Sequence, residues 1–107
     1  MSVLSEATLD DERRNVLAQL AKTYIWWKSP EEALLFPTRI ASQVMNIGDW
    51  DDVALLAQTL GDDALREVLQ HASAGEFNAR SWHYWHYRLG LASPEQRVPP
   101  LPKRHLP

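Results

Sequence analysis

"GDWDDVALLAQTLGDDALREVLQHAS", residues 48–73, decides the fold class. Each half opens on glycine and aspartate and then runs apolar residues at helical spacing. Leu65, Val68, Leu69 and Ala72 fall at i, i+3, i+4 and i+7, the strongest amphipathic pattern in the chain. Asp49 stands where an N-cap belongs, with Trp50, Val53, Ala54, Ala57 and Leu60 as the expected inner face of the helix it starts. Gly61 ends that helix and Asp62 begins the next almost at once. The two Gly–Asp junctions recur 13 residues apart, the length of one helix plus its cap. That spacing reads as helix–turn–helix packing rather than a repeat array.

The same punctuation continues on both sides. In "TLDDERRNVLAQLAKTYIWW", residues 8–27, an acidic first turn precedes Val16, Leu17, Leu20, Ala21 and Tyr24 at helical spacing. "SPEE" is a start signal, with Ser29 as N-cap, Pro30 at the first helical position and Glu32 closing a capping box. Pro37 either begins a new helix or kinks the one before it. Phe36, Ile40, Val44 and Ile47 share a face, and Gly48 follows as a C-cap. Downstream, "SAGEFN" is a loop, Asn78 caps the aromatic run "RSWHYWHYRLG" (residues 80–90), and Gly90 closes it. No alternating pattern bounded by hairpin turns supports a mainly β reading. After Leu91, "SPEQRVPPLPKRHLP" holds five of the seven prolines and cannot continue a helix.

A length of 107 residues bounds this to one domain that buries roughly two-thirds of its unfolded surface. The expectation is all-α: a compact bundle of four to five short helices over residues 1–91, then an extended proline-rich C-terminal arm over 92–107. The expected core is Trp50, Val53, Leu60, Leu65, Leu69, Trp82, Trp85 and Leu89. A buried tryptophan of about 200 Å² contributes up to about 5 kcal/mol of transfer energy. That is comparable to the net stability of a small domain, so truncating Trp82 or Trp85 should unfold the chain.

There is no cysteine, which removes disulfides, thiolate zinc sites and cysteine nucleophiles together. The N-terminus lacks a basic region followed by an apolar run, and no apolar stretch approaches the roughly 20 residues of a membrane span. A cytoplasmic location is therefore expected. Net charge is −3, unevenly spread: residues 1–74 hold 12 acids and 6 bases, and residues 75–107 hold 2 acids and 5 bases. An acidic body argues against broad nucleic-acid binding by the body and leaves the basic tail as an anion- or partner-facing element.

On a helical wheel Trp82, Trp85, His86 and Leu89 lie within about 100° of one another. They read as a buried stripe. Tyr84 and Arg88 lie on the opposite side and Tyr87 on a flank, and tyrosine and arginine are what binding hot spots favour. His83 and His86, at i, i+3, lack the i, i+4 spacing with an intervening glutamate of a metalloprotease helix, so no metal is expected. The acid pairs Asp51/Asp52 and Asp62/Asp63 occupy first turns, where capping and the helix dipole explain them. No glycine-rich phosphate loop and no nucleophile–base constellation appears, so no catalytic residue or cofactor is expected.

A DNA-reading helix would present Arg, Lys, Asn or Gln at its start, whereas Asp62, Asp63 and Glu67 stand there. "PPLPKR", from Pro99 to Arg104, matches the Pro-x-x-Pro-x-basic ligand of aromatic grooves, or forms an arm docked on this domain or on a partner. The expected partner-binding residues are Tyr84, Tyr87, Arg88, Arg97, Leu101, Lys103 and Arg104. The tryptophan count is compatible with a homodimer.

The run "PTRIASQVMNIG", the "GDW-D" start, "LGDDALREVL" and the aromatic helix ending "RLGL" resemble one family. These are the small helical antitoxin-like proteins, also classed as a domain of unknown function, encoded beside AbiEii-type nucleotidyltransferase toxins. The likeness covers roughly residues 30–91. The aromatic run here is richer in tryptophan and histidine, and the winged hairpin of the winged-helix antitoxins of that system is missing. The resemblance implies a non-enzymatic, partner-binding protein that restrains a nucleotidyltransferase by covering its cleft or RNA surface. The alternative is a nucleic-acid binder using the aromatic helix and basic tail.

Overall fold

In the computed structural model, which describes Leu4 and residues 9–103, the chain is all helical, with no strand among the described residues. The helices are α1 (Asp11–Tyr24), α2 (Pro30–Ala33), α3 (Pro37–Ile47), α4 (Trp50–Leu60), α5 (Asp62–Gln70) and α6 (Ala79–Arg88). The six helices among the described residues exceed the expected four to five, because Pro37 starts a separate helix and the segment before it closes as the single turn α2.

Short helices are stable only if their ends are satisfied, since each leaves four N–H and four C=O groups unpaired. Side chains supply most of the starts here. Asp10 accepts from the Arg13 N–H, Asp49 from the Asp52 N–H, and Asn78 from the Ser81 N–H, each at 2.8 Å. Ser29 Oγ accepts from the Glu32 N–H at 3.2 Å, the N-cap expected from "SPEE", and donates to the Glu32 carboxylate at 3.1 Å, so the carboxylate meets the Ser29 hydroxyl where a capping box would use its backbone N–H.

Gly61 ends α4 and starts α5 within one residue, at φ 83° and ψ 161°, a backbone region essentially restricted to glycine. Gly90 (φ 74°) closes α6: its N–H donates to Tyr87 and the Leu91 N–H to His86, the paired bonds of a Schellman end.

α3 is the centre of the bundle and packs against all five other helices. Ile40, Ala41, Val44 and Met45 form its buried face. Leu17, Leu20 and Ala21 of α1, Leu56 of α4, Leu65 and Leu69 of α5, and Trp85 of α6 close around it in one continuous core. The radius of gyration, 13.8 Å, is near the about 13 Å of a folded chain of this length.

Most of the expected core is buried: Val53, Leu60, Leu65, Leu69, Trp82, Trp85 and Leu89. Trp50 is not. It is 74% exposed. The buried stripe of α4 is Val53, Leu56 and Leu60, and at 100° per residue Trp50 stands about 90° round from its centre. As the first helical residue its Cβ also tilts toward the N-terminus, away from the bundle. Ile47 is displaced for the same reason, since the buried face of α3 centres on Val44 and Ala41, and Phe36 is exposed because it is the N-cap of α3, with non-helical backbone.

α1 is pinned to the start of α4 by one phenol. The Tyr24 hydroxyl donates to Asp52 Oδ2 at 2.6 Å and accepts from the Asp49 N–H at 3.2 Å. Burial, and then the bond to Asp52, raise the Tyr24 pKa above its ordinary value of 10.0. Folding thus favours the neutral phenol. Its contribution is complete below pH 10 and is lost as pH rises through the raised pKa. Tyr24→Phe should cost about 2 kcal/mol at neutral pH, and the urea midpoints of the two proteins should converge as pH climbs above 10. Gly61→Ala should cost about 1–3 kcal/mol in the same assay, because a side chain there forces a strained φ.

Candidate partner-binding surface

α6 has two faces with different tasks. Its inner face, Trp82, Trp85 and His86 followed by Leu89, is buried as the wheel predicts. The inward polar atoms are all spent. Trp85, 1% exposed, donates its indole N–H to the Met45 carbonyl at 2.8 Å. Ser81 Oγ donates to the Asn46 carbonyl at 2.8 Å, and the Asn78 N–H to Asn46 Oδ1 at 3.0 Å. Met45 and Asn46 belong to the last turn of α3, so α6 side chains cap the carbonyls that α3 leaves open. At the far end of α6, Arg66 Nε donates to the Leu89 carbonyl at 2.8 Å.

Trp82 donates its N–H to the Pro99 carbonyl at 2.7 Å, and Val98 and Leu101 pack against the core, half-buried. Residues 92–103 carry no helix or strand. Within them the proline-rich stretch through Lys103 contacts its own domain at these points.

The outer face is held rigid by the inner one. The Arg88 guanidinium lies 4.8 Å from the centroid of the Trp85 ring and 5.9 Å from that of Tyr84, and donates to the Tyr84 hydroxyl at 3.0 Å. Tyr84 stands edge-on to Trp85 with centroids 5.3 Å apart. Tyr84, Tyr87 and Arg88 are exposed. A guanidinium already packed on an indole and a phenol loses less side-chain freedom when a partner binds it.

Beside this face a groove of about 330 Å³ runs between α6 and the α3–α4 junction, lined by Ile47, Gly48, Trp50, Arg80, Tyr84 and Trp85. Trp50 and Ile47, both mostly exposed, give the groove its apolar rim. Neither was expected there. Each stands at a helix end off the buried stripe, and that offset, measured from the best-centred stripe, is the signal that finds them.

Arg97 and Lys103 are exposed, and among the described residues no hydrogen bond, ion pair or ring contact joins them to the α6 residues. Arg104 lies outside the described residues.

The remaining candidates have local roles. His83 is exposed and His86 buried, so the two rings lie on different faces of α6. Their Nδ1 atoms each meet the carbonyl four residues back, Ala79 and Trp82, at 2.7 Å. No group of three His, Asp or Glu side chains among the described residues is placed to hold a metal ion. Asp52 is committed to Tyr24 and Asp63 to Arg66 at 2.8 Å, in addition to their places in first turns.

A cavity of about 770 Å³ is an open trough beside α5 lined by Thr38, Asp63, Arg66, His71 and Glu76 among others. Its one arginine is already bound to Asp63 and to the Leu89 carbonyl. No helix among the described residues is long and apolar enough to cross a membrane. The chain matches no protein-family model, no curated protein and no solved structure.

The two faces separate by mutation. Trp85→Phe keeps most of the apolar area but strands the Met45 carbonyl, and should lower stability by about 1–3 kcal/mol. Trp50→Ala removes an exposed ring and should change stability by no more than about 0.5 kcal/mol. Urea denaturation of the two variants against the parent checks both.

Proposed function

We propose that this chain is a non-enzymatic interaction protein whose partner surface is the outer face of α6 together with the Trp50 groove. The observation that carries the reading is the Tyr84–Trp85–Arg88 cluster, a fixed, outward-facing tyrosine–arginine pair beside a tryptophan that is 74% exposed. Exposed Trp, Tyr and Arg in a preorganised patch are the side chains that dominate binding energy at interfaces. Trp50 contributes nothing to the core, so burying it on a partner is a pure gain in apolar contact.

The partner's identity, a nucleotidyltransferase toxin that this chain restrains as an antitoxin, rests on the sequence resemblance over residues 30–91. Docking over the partner's cleft or its RNA surface would block nucleotide transfer without chemistry from this chain. The acidic body, with 12 carboxylates against 6 bases over residues 1–74, would compete there with RNA for a basic groove. A cytoplasmic location and the proline-rich segment as a further contact through Arg97, Lys103 and Arg104 belong to the same reading.

One observation favours nucleic acid as a second reading: α6 from Ala79 to Arg88 carries Arg80, Tyr84, Tyr87 and Arg88 and no carboxylate. Tyrosines interleaved with arginines can stack bases and neutralise phosphates.

The experiment is co-expression and co-purification with a nucleotidyltransferase encoded beside this gene. The parent should relieve toxicity and bind. Tyr84→Ala with Arg88→Ala should weaken binding by about 30-fold or more while the melting temperature holds. An adjacent gene of another class, or a complex indifferent to both substitutions, contradicts the proposal. A salt-dependent shift with single-stranded oligonucleotide, lost in the same variant, would favour the second reading instead.

A further inference from the structure

A second aromatic surface lies where α1 turns into α2 and α2 into α3. Trp26 and Trp27 follow the end of α1, 74% and 55% exposed, their rings edge to face at 5.7 Å. Leu35 and Phe36, both about half exposed, sit in the next turn. Lys28 Nζ stands 5.6 Å and the Arg39 guanidinium 5.9 Å from the Phe36 ring. Trp27, Lys28, Phe36 and Arg39 line one small cleft, so the rings and cations form a continuous patch rather than scattered residues.

Nothing among the described residues uses this patch. Among them neither indole N–H of Trp26 or Trp27 is hydrogen-bonded, and no ion pair joins Lys28 or Arg39 to a carboxylate. Lys28 and Arg39 therefore rest on a ring face with no carboxylate partner.

We propose that this surface joins two copies of the chain about a two-fold axis, which goes beyond the partner-binding role of α6. Two features favour a second copy. The first is area. At about 200 Å² per aromatic ring, the exposed parts of Trp26, Trp27 and Phe36, with Leu35, amount to roughly 450 Å² per copy. Pairing two such patches with their charged rims reaches about the 1,000 Å² that a specific interface needs. A single patch of this size matches the largest apolar patch of a typical monomer, about 300–600 Å², which is often a binding surface.

The second feature is charge. The rim carries two cations without a carboxylate partner, half-buried Lys28 and exposed Arg39, and Glu31, three residues on from Lys28 in the first turn of α2, is an exposed carboxylate. A two-fold axis lets each copy's cations face the other's Glu31, so the patch complements itself. A lipid surface or a nucleic acid would meet Glu31 and Glu32 as repulsive charges. In this dimer both α6 faces stay open, giving a two-headed binder whose avidity for a dimeric or repeated partner exceeds that of one face.

Sedimentation equilibrium of the full chain, from low micromolar to near-millimolar, tests this. The parent should show a reversible monomer–dimer equilibrium. Trp26→Ser with Trp27→Ser should leave only monomer, and Trp50→Ala should leave the dimer intact. Lys28→Glu alone should weaken association at least tenfold, and mixing it with the Glu31→Lys protein should restore a mixed dimer. This charge pair touches neither tryptophan, with Glu31 exposed and Lys28 half-buried, so it decides the matter even if the double serine variant folds poorly. A parent that stays monomeric throughout overturns the proposal. So does a dimer that ignores both the tryptophan and the charge substitutions, or one that dissolves on Trp50→Ala.

Discussion

The indole N–H of Trp85 meeting the carbonyl of Met45 is the constraint on which the rest depends. A tryptophan that is 1% exposed supplies a large share of the apolar burial available to so small a chain, but its N–H cannot go unpaired in the core. α3 ends nearby with carbonyls that have no helical partner. Each need answers the other, and Ser81 repeats the arrangement on Asn46 one turn earlier along α6. The bond therefore fixes both the depth and the rotation of α6. Once rotation is fixed, Tyr84 and Arg88 have to face outward.

The same economy recurs through the bundle. No helix among the described residues is longer than 14 residues, so helix ends are a large share of the backbone. Many of those ends are closed by a side chain from another helix: Tyr24 at the start of α4, Arg66 at the end of α6, Arg13 near the end of α4 at 3.4 Å. This is why one phenol or one guanidinium matters more here than in a long-helix bundle, and why polar residues are woven between the apolar stripes.

What is local in these devices is legible in the sequence. The Ser29, Asp49 and Asn78 caps, the Gly61 and Gly90 ends and the buried stripe of α6 follow from residue type and spacing alone. What depends on tertiary partners is not. Tyr24 reads simply as an apolar-face residue, and nothing local points to Asp52, 28 positions away. Trp50 reads as core because tryptophan is large and opens an amphipathic helix. Its exposure follows from Leu56, not Ala54 or Ala57, setting the centre of the stripe. Of the expected partner residues, Tyr84 and Arg88 are physically coupled, Leu101 leans on this chain's own core, and Arg97 and Lys103 stand apart from them.

The five tryptophans thus divide into two that hold the fold and three that the fold leaves on its surface, and the account stands on that division. Indole N–H hydrogen exchange, resolved ring by ring in a ¹⁵N-labelled sample, measures it most directly. Trp82 and Trp85, bonded to Pro99 and Met45, should exchange slowly, and Trp85 slowest of all. Trp50 should exchange at nearly the rate of free indole, and so should Trp26 and Trp27 in a sample dilute enough to be monomeric. A Trp85 signal that exchanges as fast as that of Trp50 would contradict the inner-face and outer-face assignment of α6.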